Sequence, residues 1–148
     1  MRRRHHQEVA NPLSRIGVAI DRDLLRQFDR LIGHRGYTNR SEAFRDLIRD
    51  ELVQTAWESS EQEVIGTITL AYDHHVHLLN EKLTDVQHRF HKNILSTLHV
   101  HLDHDHCLEV LVVRGKAVQV KRVADAVISL KGVKHGKLTT STTGAHLP

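Results

Sequence analysis

Apolar positions follow two different periods along this chain, and they divide it into two unlike halves. Residues 14–20 alternate, with Ile16, Val18 and Ile20 on one side of a short strand. Behind Asp21, a suitable N-cap, Leu24, Leu25, Phe28, Leu31 and Ile32 recur at helical spacing until Gly36. Asn39 and Glu42 then have the spacing of a capping box. Ala43, Phe44, Leu47, Ile48 and Leu52 supply the stripe of a second helix. A strand and two helices of this size bury little core, and a lone strand has no partner in its own chain. The economical solution is an intertwined dimer in which two such strands pair antiparallel.

Gln54–Glu63 (QTAWESSEQE) is polar and acidic and reads as a linker. Beyond it the pattern is β-α-β-β-α-β, with strands near 64–73, 94–102, 107–113 and 133–139 and helices near 75–90 and 117–130. Val76, Leu79, Leu83, Val86 and Phe90 form one helix stripe; Val120, Val123, Ala124, Val127 and Leu130 form the other. The predicted fold class is α+β: an N-terminal, dimeric ribbon-helix-helix module followed by a C-terminal βαββαβ ferredoxin-like (ACT-like) domain. The expected boundaries are 1–12 for a disordered basic arm, 13–54 for the ribbon-helix-helix, 55–63 for the linker, 64–140 for the second domain and 141–148 for a tail.

Composition narrows the setting. Aromatic residues make up only 4%, so the core must be aliphatic, and the formal charge of +3 permits nucleic acid without demanding it. A single cysteine allows no intrachain disulfide, and no apolar run is long enough to cross a bilayer. A cytoplasmic protein with no membrane partner is expected.

The chemistry gathers around that cysteine. His99 and His101 share a strand face, and Cys107 follows on the hairpin mate, so imidazole and thiolate form a donor set suited to a late first-row divalent metal. Alternation from Ile94 puts Leu98, Val100 and Leu102 under the helices, with Leu108, Val110 and Val112 beside them. His99, His101 and Cys107 would then occupy the opposite, helix-free face, with His101 across from Cys107. Candidates for a fourth donor are His74, His75, His77, His88 and His91. His88 aligns with Glu81 and Thr84, away from the apolar stripe, and can reach a neighbouring molecule. His74, His75 and His77 read as a solvated helix start, and His104 and His106 as turn residues. Tyr72 reads as packing, or as support beneath a ligand histidine.

Arg40-Ser41-Glu42-Ala43-Phe44-Arg45-Asp46, Gln87-His88, Leu98-His99-Val100-His101, Cys107-Leu108-Glu109 and Gly132-Val133-Lys134-His135-Gly136 together resemble the nickel-responsive transcriptional regulator (NikR) family. The resemblance runs from about Ser14 to Lys137. It implies a homotetramer, two DNA-binding dimers flanking a central core of metal-binding and tetramerisation domains. It implies one Ni(2+) per subunit, held by His99, His101 and Cys107 of one subunit and His88 of another. It further implies repression of nickel-uptake genes from a palindromic double-stranded operator, with Arg15, Gly17 and Ala19 on the ribbon reading bases. Asn39, Arg40 and Ser41 would meet phosphate at a helix start. A second cation would lie at Glu42 and Asp46, completed by carbonyls near Ile128 to Val133. Chemistry alone leaves open zinc, copper or cobalt, or a small organic ligand sensed by the same architecture. A metalloenzyme is disfavoured, because four protein donors leave no open position for water.

Overall fold

A computed structural model describes residues 13–59, 61–145 and 147; the expected basic arm, 1–12, lies outside them. Contacts divide the chain into two compact units, one ending at Asp46 and the other running Leu47–Leu147.

In the first unit, α1 (Arg22–His34) starts where expected. The Asp21 carboxylate accepts from the amides of Asp23 at 2.8 Å and Leu24 at 3.2 Å. It ends on Gly36 at φ +81°, a left-handed residue that lets the Tyr37 amide turn back to the Ile32 carbonyl at 3.0 Å. α2 (Arg40–Glu58) begins behind Asn39, whose side-chain oxygen accepts from the Glu42 amide at 2.9 Å. Glu42 completes less of the capping box than its spacing promised, since its carboxylate accepts from the Thr38 hydroxyl at 3.3 Å. Phe28 and Phe44 stack at 4.7 Å and join the two helices.

The strand expected at 14–20 is not formed. These residues carry no ladder, and Ile16 and Val18 are exposed by 79% and 64%. The reason is the one the pattern implied: a strand is defined by its hydrogen-bonded partner, and this chain holds no second copy of it.

The second unit includes the end of α2, then β1 (Glu63–Asp73), α3 (Leu79–Arg89), β2 (Ile94–His101), β3 (His106–Lys116), α4 (Ala117–Ile128) and β4 (Val133–Ser141). The strands form one antiparallel sheet in the order β2-β3-β1-β4, the ferredoxin-like arrangement expected. Leu79, Leu83 and Val86 of α3 are buried with Ala117, Val120, Val123, Ala124 and Val127 of α4. They cover Val64, Ile68, Leu70 and Tyr72 of β1 and Cys107, Leu111 and Val113 of β3.

Three local expectations are corrected. The segment read as a linker is helical as far as Glu58, because Trp57 is a core residue rather than a spacer. Its ring lies over Gly66, where a Cβ would come within 3.2 Å of it, and its Nε1 donates to the Ser141 carbonyl at 2.8 Å. The helix expected from residue 75 starts at Leu79. Asp73 diverts the chain first, its carboxylate accepting from the His75 amide at 2.9 Å and its carbonyl from the Val76 amide at 3.2 Å.

The third correction concerns facing. A bulge between Ile94 and Ser96 shifts the β2–β3 register by one residue, which exchanges the two faces for everything after it. Leu98 and Leu102, expected in the core, are exposed by 60% and 57% on the helix-free face, while His99, His101 and Cys107 lie on the helix-covered side. The alternation in β3 is inverted likewise: Cys107, Glu109, Leu111 and Val113 are buried, and Leu108, Val110 and Val112 only half-buried.

Candidate metal centre

The β2–β3 ladder sets His101 directly opposite Cys107 and His99 opposite Glu109, so all four side chains share one face. Cys107 is completely buried; its Sγ lies 3.4 Å from His101 Nδ1 and 3.3 Å from His74 Nδ1. His74 leaves β1 in the turn that Asp73 makes, which brings its ring to the sulfur. Among the described residues, His74, His101 and Cys107 form a group whose ligand atoms lie within 4.8 Å of one another. The reading of His74 as a merely solvated histidine missed this. The signal available was its place at the end of the strand next to Cys107, two rungs from His101.

Burial pushes the Cys107 thiol up, and the nearby carboxylates of Asp103, Asp73 and Glu109 add to the effect. Three soft-to-borderline donors, a buried thiol with a half-buried and an exposed imidazole, fit a late first-row divalent ion, whose charge would expel the thiol proton. His99 adjoins the group, its ring centroid 4.9 Å from that of His101.

Beneath His99 lies a buried polar network. Glu109 is 4% exposed, yet its carboxylate is satisfied by the Tyr72 hydroxyl at 2.7 Å and by the side-chain amide of Gln87. Gln87 in turn accepts from the Thr97 hydroxyl at 3.2 Å. Burial first, then the hydrogen bond and charge of Glu109, raise the Tyr72 phenol well above its ordinary range, so it stays neutral and keeps its one proton for Glu109. The Tyr72 oxygen is also 3.3 Å from His99 Nδ1. With its proton committed, Tyr72 can only accept there, so His99 carries its proton on Nδ1 and leaves Nε2 bare as a donor to metal. The supporting role foreseen for Tyr72 thereby acquires a direction. Sequence reasoning missed Gln87 and Glu109 as its partners.

His88 is not brought to this group within the chain. It occupies the last turn of α3, exposed, with its carbonyl accepting from His91.

The expected DNA contacts divide into open and engaged residues. Arg15, Gly17 and Ala19 lie on the exposed 13–20 segment, and a Cβ at Gly17 would meet nothing within 4 Å. Asn39 is occupied in capping α2, and Ser41 is exposed. Arg40 is engaged: its guanidinium forms a forked pair with Asp29, both bonds 2.7 Å, which holds the Asp29 carboxyl below its usual range. A phosphate at this helix start would therefore meet backbone amides before it met the Arg40 side chain. Asp46 accepts from the Tyr37 hydroxyl at 2.8 Å.

Residues 65–141 match the family of NikR C-terminal nickel-binding domains, and residues 14–55 match ribbon-helix-helix proteins of the CopG family. The chain belongs to the nickel-responsive regulators. A relative from Solibacter usitatus (strain Ellin6076), provisionally named a nickel-responsive regulator, is 74% identical over 91% of this chain and 97% of its own. One from Geotalea uraniireducens (strain Rf4), named likewise, is 59% identical over 90% and 96%. The family couples DNA binding to nickel and is not an enzyme family, so the metalloenzyme reading falls away. Among the described residues of this regulator, no helix is long and apolar enough to cross a membrane.

Proposed function

We propose that this nickel-responsive regulator is a repressor whose Ni(2+), one per subunit, joins two protomers. His99, His101 and Cys107 of one protomer would hold the ion together with His88 of another, in a homotetramer built as a dimer of dimers. The loaded tetramer would grip a palindromic operator and silence nickel-uptake genes. The observation that supports this most is His101 opposite Cys107, with sulfur and ring nitrogen 3.4 Å apart, beside a His99 whose Nε2 is left free.

His88 suits a partner's ion better than its own, being exposed on α3 and apart from the Cys107 group of its own chain. An ion that needs donors from two protomers stabilises one relative orientation of them, which is what a metal-dependent DNA grip requires. The ribbon itself needs a second copy, since Ile16 and Val18 stand in solvent until another strand pairs with theirs. Arg15, Gly17 and Ala19 would then face the major groove, and the amides that open α2 the phosphates. Glu42 and Asp46 are the carboxylates proposed for a second cation.

The test is a selection of tight binders from a random duplex pool with nickel present, followed by titration of the winner at fixed salt. Affinity should collapse when nickel is chelated, and His99→Ala should abolish that response without loss of fold. Equal binding with and without metal ends the reading.

A further inference from the structure

The opening of α2 holds opposite charges in close contact. Arg40 is the first residue of that helix, and Asp29 stands on α1 beside it. Arg40 Nε donates to Asp29 Oδ1 and Arg40 Nη2 to Asp29 Oδ2, each at 2.7 Å. The two side chains are 52% and 40% exposed, so they pair although water can reach both. Two parallel bonds between a guanidinium and a carboxylate fix one geometry and are the strong form of this contact.

Little positive side-chain charge is left for a phosphate here. Glu42 lies in the same first turn, so one guanidinium faces two carboxylates. What remains is backbone. The Glu42 amide is taken by the Asn39 side chain at 2.9 Å, and the amides of Arg40 and Ser41 come too early in the helix for an internal acceptor. The ribbon segment is the reverse case, since Arg15 is exposed and residues 13–20 include no acidic side chain.

We propose that Asp29 is a specificity-determining residue: by binding the Arg40 guanidinium it keeps that charge off the DNA backbone, so that α2 meets phosphate with uncharged, directional amides. This rests on the reading that the start of α2 faces phosphate. A released arginine would attract any duplex, because neutralising a phosphate sets counterions free whatever the sequence. Amides at a helix start act only when a phosphate lies in line with them, which requires the ribbon to be seated in its groove. A phosphate that recruited Arg40 would have to break both bonds to Asp29 and lie close to a bare carboxylate. Binding away from the operator is held down by that cost.

Titration of the nickel-loaded full chain against a scrambled duplex, at several salt concentrations, tests this. Asp29→Asn keeps the shape and removes the charge. It should tighten binding to the scrambled duplex and steepen the fall of log affinity with log salt by about 0.9 for each protomer in contact. The selected operator should gain less, because amides already hold the phosphate oxygens there, and the ratio of the two affinities should narrow. Adding Arg40→Gln to Asp29→Asn should restore the native slope. Asp29→Glu, which keeps the charge, and Asp125→Asn, which loses one on the exposed side of α4, should both behave as native. An unchanged or shallower slope in Asp29→Asn overturns the proposal, as does a steeper slope that survives Arg40→Gln. An equal gain on both duplexes also overturns it, by denying Asp29 any part in specificity. The two failures are distinct: the repressor reading fails on operator binding that ignores nickel, and this one on scrambled-duplex binding that ignores Asp29.

Discussion

At the scale of single residues, the informative chemistry is the choice of which atom carries a proton. Tyr72 has one, and the buried Glu109 carboxylate takes it at 2.7 Å, which orients His99 through an oxygen that can only accept. Tyr72→Phe removes both functions. A buried carboxylate that loses a donor costs about 1–3 kcal/mol. A ligand histidine that loses its orienting partner weakens metal binding by roughly 10–100-fold. Thermal unfolding in chelator reads the first effect and competition with a chelator of known affinity reads the second; no change in affinity would show that the tautomer is set elsewhere. Cys107 makes a pH prediction. Burial raises its pKa, so the free protein holds the thiol proton at neutral pH and nickel must expel it. Protonation therefore competes with the ion: affinity rises with pH and falls on acidification, by about tenfold per unit for each proton released. Chelator competition at a series of pH values gives the slope, and a flat profile would mean that sulfur takes no part.

At the scale of elements, helix stripes were legible in the sequence and sheet faces were not. The centres of the α3 and α4 stripes, Leu79, Leu83 and Val86 in one and Val120, Val123, Ala124 and Val127 in the other, came out as read, because at a period of 3.6 the apolar positions of a surface helix gather on one face. In β2 and β3 both faces carry aliphatics: Leu98, Val100 and Leu102 on one side, and Leu111 and Val113 on the other, with Cys107. Alternation then fixes which residues lie together but not which set the helices cover. The bulge after Ile94 decided that, and bulges leave no periodic trace. Register survived the inversion, so His101 still lies opposite Cys107, on the helix-covered side rather than the helix-free one. His74 was missed because a pattern of helix-start histidines hides a turn set by Asp73. QTAWESSEQE misled for a related reason, since nine polar or small neighbours outweighed one indole. Trp57→Ala should accordingly behave as a core deletion and destabilise the second unit by roughly 3–5 kcal/mol, against well under 1 kcal/mol for a true linker site. Denaturant unfolding of the full chain distinguishes the two.

At the scale of the whole molecule, the single chain leaves surfaces that water does not favour. Leu98, Val100 and Leu102 stand open on the sheet, and Leu13, Ile16 and Val18 on the N-terminal segment. Burying each such side chain fully would contribute roughly 1.5–3 kcal/mol, so a second copy has much to gain at both places. Whether nickel also joins copies is decided by complementation. A His88→Ala protomer retains His99, His101 and Cys107; a His99→Ala protomer retains His88. Neither variant by itself has a complete donor set under any arrangement. If the fourth donor crosses between protomers, co-refolding the two variants restores a site wherever the intact trio of the first meets His88 of the second. Nickel uptake and the sulfur charge-transfer band should then return at no more than half of native stoichiometry, with DNA binding following in proportion. If instead each chain supplies its own His88, every protomer in the mixture lacks one ligand, and the mixture binds no better than its parents. That silence would place the ion inside one polypeptide and remove the link between metal and assembly.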